Sequence, residues 1–163
     1  MDPLPIKGRF ELLKCGSERW NIFRREYRDY IVLNSAPLAD AQLPNVDLHC
    51  VLLIEADLRR ANLECAILER AVLRKSDCRG SDLRNAILDG ADLCRADLSG
   101  ADLRGASLVS AFLKRTVLTG ADLSTTKGLT TAQVSDAFGD ERTKLPAGVA
   151  RPESWLTGWA RQA

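Results

Sequence analysis

From Leu33 to Leu123 every fifth residue is leucine, with Cys78 the one exception among 19 positions. Two residues before most of these positions lies a small side chain: 13 of the 19 are alanine, and Ser76, Ser81 and Thr116 are close in size. A period of five fits neither regular element. In a helix, five steps of about 100° advance roughly 500° and carry the leucines round every face. In a strand, side chains alternate with period two, so an odd spacing sends successive leucines to opposite faces. A chain that turns a corner every five residues points them all at one axis, which predicts an all-β solenoid. Its coils stack at about 4.8 Å, and the leucines form continuous interior columns. The small residue two places earlier also points inward, and the bulkier Ile31, Val46 and Val51 predict a slightly wider first coil. Burying one leucine contributes about 1.5–3 kcal/mol. Against the entropy of ordering the chain, such a repeat is stable only if nearly all of them are buried.

The unit A(D/N)LXX, as in Ala56-Asp57-Leu58, Ala61-Asn62-Leu63, Ala91-Asp92-Leu93 and Ala121-Asp122-Leu123, resembles the pentapeptide-repeat family over residues 31–125. Consecutive units in register are the signature of a repeat architecture. The resemblance implies a right-handed quadrilateral β-helix with four five-residue sides to a coil, so that 19 units make nearly five coils.

An open solenoid exposes unpaired backbone and the end of its core, so both ends need covers. Residues 1–30 are expected to form an amino-terminal helical cap: Ser17 is placed to cap a helix in which Trp20, Phe23, Tyr27 and Tyr30 share a face. Gly16 to Arg24 resembles a leader with a WNxxR pattern that precedes pentapeptide repeats. Residues 126–163 are expected to form a carboxy-terminal helical cap and extended tail. There Thr130-Thr131-Ala132-Gln133 is a capping-box signal for a helix through about Phe138, ended by Gly139, and Leu145 to Trp155 read as a tail along the surface. The run Gly128 to Trp155 resembles a tail found after such repeats, and it brings no activity with it.

A chain of 163 residues buries a substantial core in one domain. No apolar stretch approaches the roughly 20 residues of a membrane span, and the start lacks the features of a signal peptide. These readings predict a cytoplasmic protein with no membrane partner. The five cysteines, odd in number and in different columns, read as free thiols in a reducing compartment.

Nothing in the pattern points to catalysis, to a cofactor or to a metal. The single histidine, His49, falls on an outward position of the second coil, without partners at metal-ligand spacing, and reads as a plain surface residue. The carboxylates project from a convex prism that offers no cleft for a general acid and base. Cys78 occupies an interior slot and reads as a small core residue.

Function is therefore sought on the outer faces. The residue before leucine on the first side runs Val32, Leu52, Val72, Asp92, Phe112, and on the fourth side Asp47, Ile67, Ile87, Ser107. Because those sides share an edge, Leu52, Ile67, Val72, Ile87 and Phe112, with Ile54 and Val109 nearby, are expected to form an apolar strip. Cover by the terminal segments, a homodimer contact and a surface for another protein all account for it. On the second and third sides the same columns carry acidic ladders, Asp57, Asp77, Asp97 and Asp82, Asp102, Asp122. The family resemblance implies one specific role for such ladders, since some pentapeptide-repeat proteins mimic duplex DNA, bind type II topoisomerases such as DNA gyrase and confer quinolone resistance. Charge speaks against a strong form of that role. Arg59, Arg79, Arg84 and Arg104 run beside the ladders, residues 31–125 hold 13 Asp and Glu against 11 Lys and Arg, and the whole chain is +1. A DNA mimic needs a dense, uncompensated negative field. Direct nucleic-acid binding is not expected either, because no basic stripe with interleaved aromatics occurs. Two readings stand: a non-catalytic scaffold that binds a protein partner or itself, and a DNA-mimic modulator of a topoisomerase.

Overall fold

The computed structural model describes residues 5–27 and 30–156. Parallel bridges join residues 20 apart, from Val32 with Leu52 through Pro37 with Asp57 to Ser107 with Lys127. The chain is thus a solenoid of stacked 20-residue coils, and the bridged residue on each side is the one before the leucine. One side shows the rule. Ala56 and Leu58 point inward and are fully buried, while Asp57 between them pairs with Asp77 above. Its own N–H bonds down to Ala36 O at 3.0 Å, Leu58 N–H bonds up to Asp77 O at 2.7 Å, and Ala61 N–H closes the turn on Leu58 O at 3.1 Å. Only three residues are extended before the next corner, so the pairing consists of single bridges rather than strands.

The corners adopt a conformation their residues do not favour. The second residue of each turn has positive φ, at glycines such as Gly80 (+64°) but equally at Arg60 (+54°), Lys75 (+57°) and Glu55 (+58°). Positive φ at that position only, with a hydrogen bond across the turn, defines a type II turn. An L-residue there costs roughly 1–2 kcal/mol, and the stack holds it in place: Arg60 N–H, for example, is tied to Arg79 O at 2.9 Å. Thr125, the one β-branched residue at this position, is also the one turn that lacks positive φ.

Inside, the leucine columns are closed to solvent from Leu33 to Leu123, and Cys78 sits among them, equally buried. Where alanine gives way to Ser76, Ser81 or Thr116, the buried hydroxyl donates to a neighbouring carbonyl: Leu73 O at 2.7 Å, Cys78 O at 2.8 Å and Leu93 O at 2.7 Å. That bond offsets the cost of burying a polar group and explains why hydroxyl residues are tolerated there.

Two helices cover the first coil, α1 (Ile6–Lys14) and α2 (Ser17–Glu26). They take the place of a preceding coil. Asp47 N–H, which would bond to a coil below, donates to Asn21 Oδ1 at 2.8 Å, and Asp47 O accepts from the buried Trp20 indole at 2.7 Å. The edge carbonyls of His49 and Val32 accept from Arg24 at 2.8 Å and Arg9 at 3.4 Å. On the second side Pro37 stands where an edge N–H would lack a partner and supplies none. Two expectations are corrected here. Gly16, not Ser17, precedes the helix, and the buried Ser17 hydroxyl caps nothing. Tyr30 lies beyond the helix, 72% exposed, whereas Trp20, Phe23 and Tyr27 do meet, with ring centroids 5.5 and 4.9 Å apart, and Arg24, one turn after Trp20, is buried with it. The helix α1 had no counterpart in the sequence reading, although Ile6, Phe10 and Leu13 recur at helical spacing.

At the other end the coil does not stop at Leu123. Lys127 bridges Ser107, and after the short helix α3 (Thr131–Ser135) Phe138 pairs with Val117 and Lys144 with Asp122. The stride lengthens from 20 to 21 and then 22 residues, which hides the continuation from a search for period five. The Thr130 and Gln133 capping box is present. The helix ends at Ser135 rather than near Phe138, because Ala137-Phe138-Gly139 returns to the coil path. There glycine replaces the interior leucine, and the vacated space is filled by the Trp155 ring, whose indole donates to Ala137 O at 3.0 Å. Thr143-Lys144-Leu145 is a further small-X-Leu unit, with Thr143 fully buried, so this stretch forms part of the stack rather than a surface tail.

Candidate functional site

The bridge register distributes the seven apolar residues over four places. Leu52 and Val72 pair on the first side, and Ile67 and Ile87 pair on the fourth. Asp92 stands between Val72 and Phe112 in the first-side column. The shared edge carries Glu69 and Asp89 on the coils of the isoleucines and becomes apolar at Val109. Ile54 occupies a turn at the far edge of the first side, half-buried like Leu52 and Val72. Exposure rises along the rod, from 37% at Ile67 and 40% at Ile87 to 47% at Val109 and 61% at Phe112. Phe112 borders a groove of about 480 Å³ between the fifth coil and α3, lined by Cys94, Lys114, Gln133 and Asp136 among others.

On the second and third sides the acidic residues do two jobs within the fold. Each accepts from the backbone amide two residues on, as Asp57 does from Arg59 (3.2 Å) and Asp82 from Arg84 (3.1 Å), a local bond that fixes the turn. Where the residue two places on is arginine, it folds back bidentately on the same carboxylate: Arg59 on Asp57 at 2.8 and 2.6 Å, Arg79 on Asp77 at 2.8 and 2.5 Å, and Arg104 on Asp102 likewise. Arg59 and Arg79 also reach the carboxylate of the next coil, Asp77 at 3.7 Å and Asp97 at 3.9 Å. The Arg59 hydrogen bond holds the Asp57 carboxyl down at about 2, and Arg79, Arg84 and Arg104 lower Asp77, Asp82 and Asp102 in the same way. At Asp122 burial pushes upward, but hydrogen bonds from Ser124 and Lys144 outweigh it and leave the group at about 2.

His49 closes the first coil rather than lying in the second, and it is not a plain surface residue. It is half-buried under α2. Its Nδ1 lies 3.0 Å from Arg24 Nη2 and 2.9 Å from Asp47 Oδ1. A single ring nitrogen either accepts from the guanidinium or donates to the carboxylate, not both. Sequence spacing could not show this, because the partner lies 25 residues away. Cys78 lies within 3.3 Å of Ser76 Oγ, and burial pushes its thiol up to about 12. Among the described residues, no group of three or more His, Cys, Asp or Glu is placed to hold a metal ion, and no helix is long and apolar enough to cross a membrane.

A stacked rod of 20-residue coils with four small-X-Leu sides defines the class, and comparison with known proteins gives it a name. The family profile described as pentapeptide repeats matches residues 52–90 and 86–124, in 8 copies. The chain belongs to the pentapeptide-repeat proteins. A pentapeptide repeat protein from the Arabidopsis thaliana thylakoid lumen is similar in structure, at 22% identity over 77% of this chain and 85% of that chain, with a TM-score of 0.63. HetL, a pentapeptide repeat protein involved in heterocyst differentiation regulation from the cyanobacterium Nostoc, aligns at 30% identity over 72% of this chain and 55% of that chain (TM-score 0.47). QnrB1, a plasmid-mediated fluoroquinolone resistance protein, aligns at 20% identity over 68% and 69% of the two chains (TM-score 0.41). A comparison with curated protein sequences returned no match.

Proposed function

We propose that the chain is a non-catalytic cytoplasmic scaffold, a rigid right-handed four-sided rod whose apolar surface around Phe112 meets another protein or a second copy of itself. The observation that carries this reading is the position of Phe112. A phenylalanine 61% exposed beside Val109 and a groove stands on a backbone fully tied into the stack, so the ring contributes nothing to the core. Large apolar groups exposed in this way mark contact sites. The non-catalytic reading is supported by the ladder carboxylates, which turn amides and neighbouring arginine, lysine or serine side chains already occupy. The cytoplasmic reading is supported by the five cysteines, all unpaired.

The test compares wild type with Phe112→Asp by light scattering after size exclusion and by affinity purification from the native host. The substitution is expected to lower the mass or to remove a co-purifying protein. Identical mass and identical co-purifying proteins in both would refute the reading. Compensated ladders weigh against the alternative, a DNA-mimic modulator of DNA gyrase. A supercoiling assay with purified gyrase is expected to show neither inhibition nor protection from quinolones.

A further inference from the structure

Residues 31–125 contain 11 lysines and arginines. Eight of them, Arg59, Arg60, Arg70, Arg74, Lys75, Arg79, Arg84 and Arg104, lie within 4.0 Å of a carboxylate. The remaining three, Arg95, Lys114 and Arg115, form no ion pair among the described residues, and all three are exposed. They are also contiguous. Arg95 and Arg115 occupy the same corner on successive coils, about 4.8 Å apart by the stacking rule, and Arg95 N–H bonds directly to Lys114 O at 3.0 Å. Like charges stacked one coil apart repel, and everywhere else in the solenoid an acidic neighbour relieves this. The Arg115 guanidinium lies 6.0 Å from the centre of the Phe138 ring.

This basic corner flanks the one strongly exposed aromatic on the coils. Lys114 lines the groove beside Phe112, with Arg95 and Arg115 on the adjoining edge. Asp136 is the acidic residue in the groove lining, and Asp92, the bridge partner of Phe112 on the coil below, is already within 3.7 Å of Arg74. We infer that the groove between the fifth coil and α3 receives an acidic segment of a partner protein, with a bulky apolar side chain seated against Phe112 and carboxylates over Arg95, Lys114 and Arg115. Charge complementarity selects this occupant over a second copy of the chain. Two copies meeting through this edge would bring both unpaired basic clusters into the contact region, whereas an acidic segment neutralises one. Apolar anchoring and charge steering divide the work in the usual way, affinity from the first and specificity and rate from the second.

The inference rests on the scaffold reading, and its test separates the two. A random dodecapeptide phage library is selected against the immobilised full chain, and enriched peptides are resynthesised with a fluorescein label for anisotropy. The expected result is enrichment of peptides rich in Asp and Glu around a Trp, Phe or Leu. Their binding should weaken about tenfold or more in Arg95→Glu/Lys114→Glu/Arg115→Glu, whose circular dichroism matches wild type because all three side chains are exposed, and should fall with added salt. No enrichment, enrichment of neutral or basic peptides, or binding indifferent to the triple substitution overturns the acidic occupant. So does a wild-type dimer that Phe112→Asp makes monomeric, an outcome that leaves the scaffold reading intact and assigns the surface to a second copy. If mass, co-purifying proteins and peptide binding are all indifferent to Phe112→Asp, both readings fall.

Discussion

Gly139 and Trp155 offer a direct test of how the carboxy-terminal end of the core is closed. A β-carbon added at Gly139 would lie 2.6, 2.6 and 2.7 Å from Cε3, Cζ3 and Cδ2 of Trp155, where ordinary carbon contacts fall at about 3.5–4.0 Å. In Gly139→Ala the indole must therefore retreat by about 1 Å. Overpacking of this kind costs about 1–3 kcal/mol. The retreat also strains the 3.0 Å bond from the indole to Ala137 O, a bond with a net value of about 0.5–1.5 kcal/mol. The expected loss is about 2–3 kcal/mol, read from urea denaturation. Because φ at Gly139 lies outside the left-handed region, the backbone itself accepts alanine without strain. Trp155→Ala alone should cost about 3–5 kcal/mol. In that background Gly139→Ala should become neutral, or stabilising by up to about 1 kcal/mol through reduced freedom of the unfolded chain. The four proteins form a double-mutant cycle with a coupling of about 2 kcal/mol or more. An equal cost in both backgrounds, or no cost in wild type, would refute the assignment of Trp155 as the end plug.

The interior and the surface give two further expectations. Cys78→Leu restores the column between Leu58 and Leu98 and should raise stability by about 1 kcal/mol, whereas a loss would mean that the neighbouring coils have closed around the thiol. In wild type an Ellman titration should reach exposed Cys15 and Cys65 first and Cys78 only on unfolding, since burial pushes that thiol up to about 12. The acidic residues set the pH response. Asp57, Asp122 and Asp140 are held at about 2 against an ordinary value of 3.8, so their contribution is fully present above about pH 5. It is lost as pH falls from roughly 4 through 2. Urea midpoints measured from pH 6 to pH 2 should be flat at the upper end and fall over that window; a midpoint that rises on acidification contradicts the sign. The effect should be modest and salt-sensitive, because the pairs are partly exposed.

The interior was legible from sequence because one rule, a small residue and then leucine at a period of five, determines which side chains point inward and which outward residues pair. The φ values of the corners were not legible. Arg60 and Lys75 adopt the left-handed region because coil closure imposes it, against their own preference. The sixth coil was hidden by strides of 21 and 22 residues, although Ala137 and Thr143 mark its inward positions. His49 was misread because its environment is set by Arg24, from a helix that local spacing does not connect with the first coil. The interruption of the apolar residues at Asp92 and the acids at the shared edge emerge only when the turn residues are set beside the outward columns. The basic corner was within reach of the same exercise, as the columns Lys75, Arg95, Arg115 and Cys94, Lys114 on the first side.

Successive coils are related by nearly the same screw operation, and nothing within the repeat says how many there should be. Such a stack resembles a living polymer: each finished coil is a template for the next, whether supplied by its own chain or by a neighbour. What terminates growth is the pair of unlike ends. Trp20, Asn21 and Arg24 occupy the edge groups of the first coil with side-chain donors and acceptors that offer no further ladder, and the slipped strides with Trp155 put the last coil out of step with any copy of the first. The irregular residues beside the repeat, rather than the repeat itself, therefore cover the edges on which an identical coil would otherwise be templated.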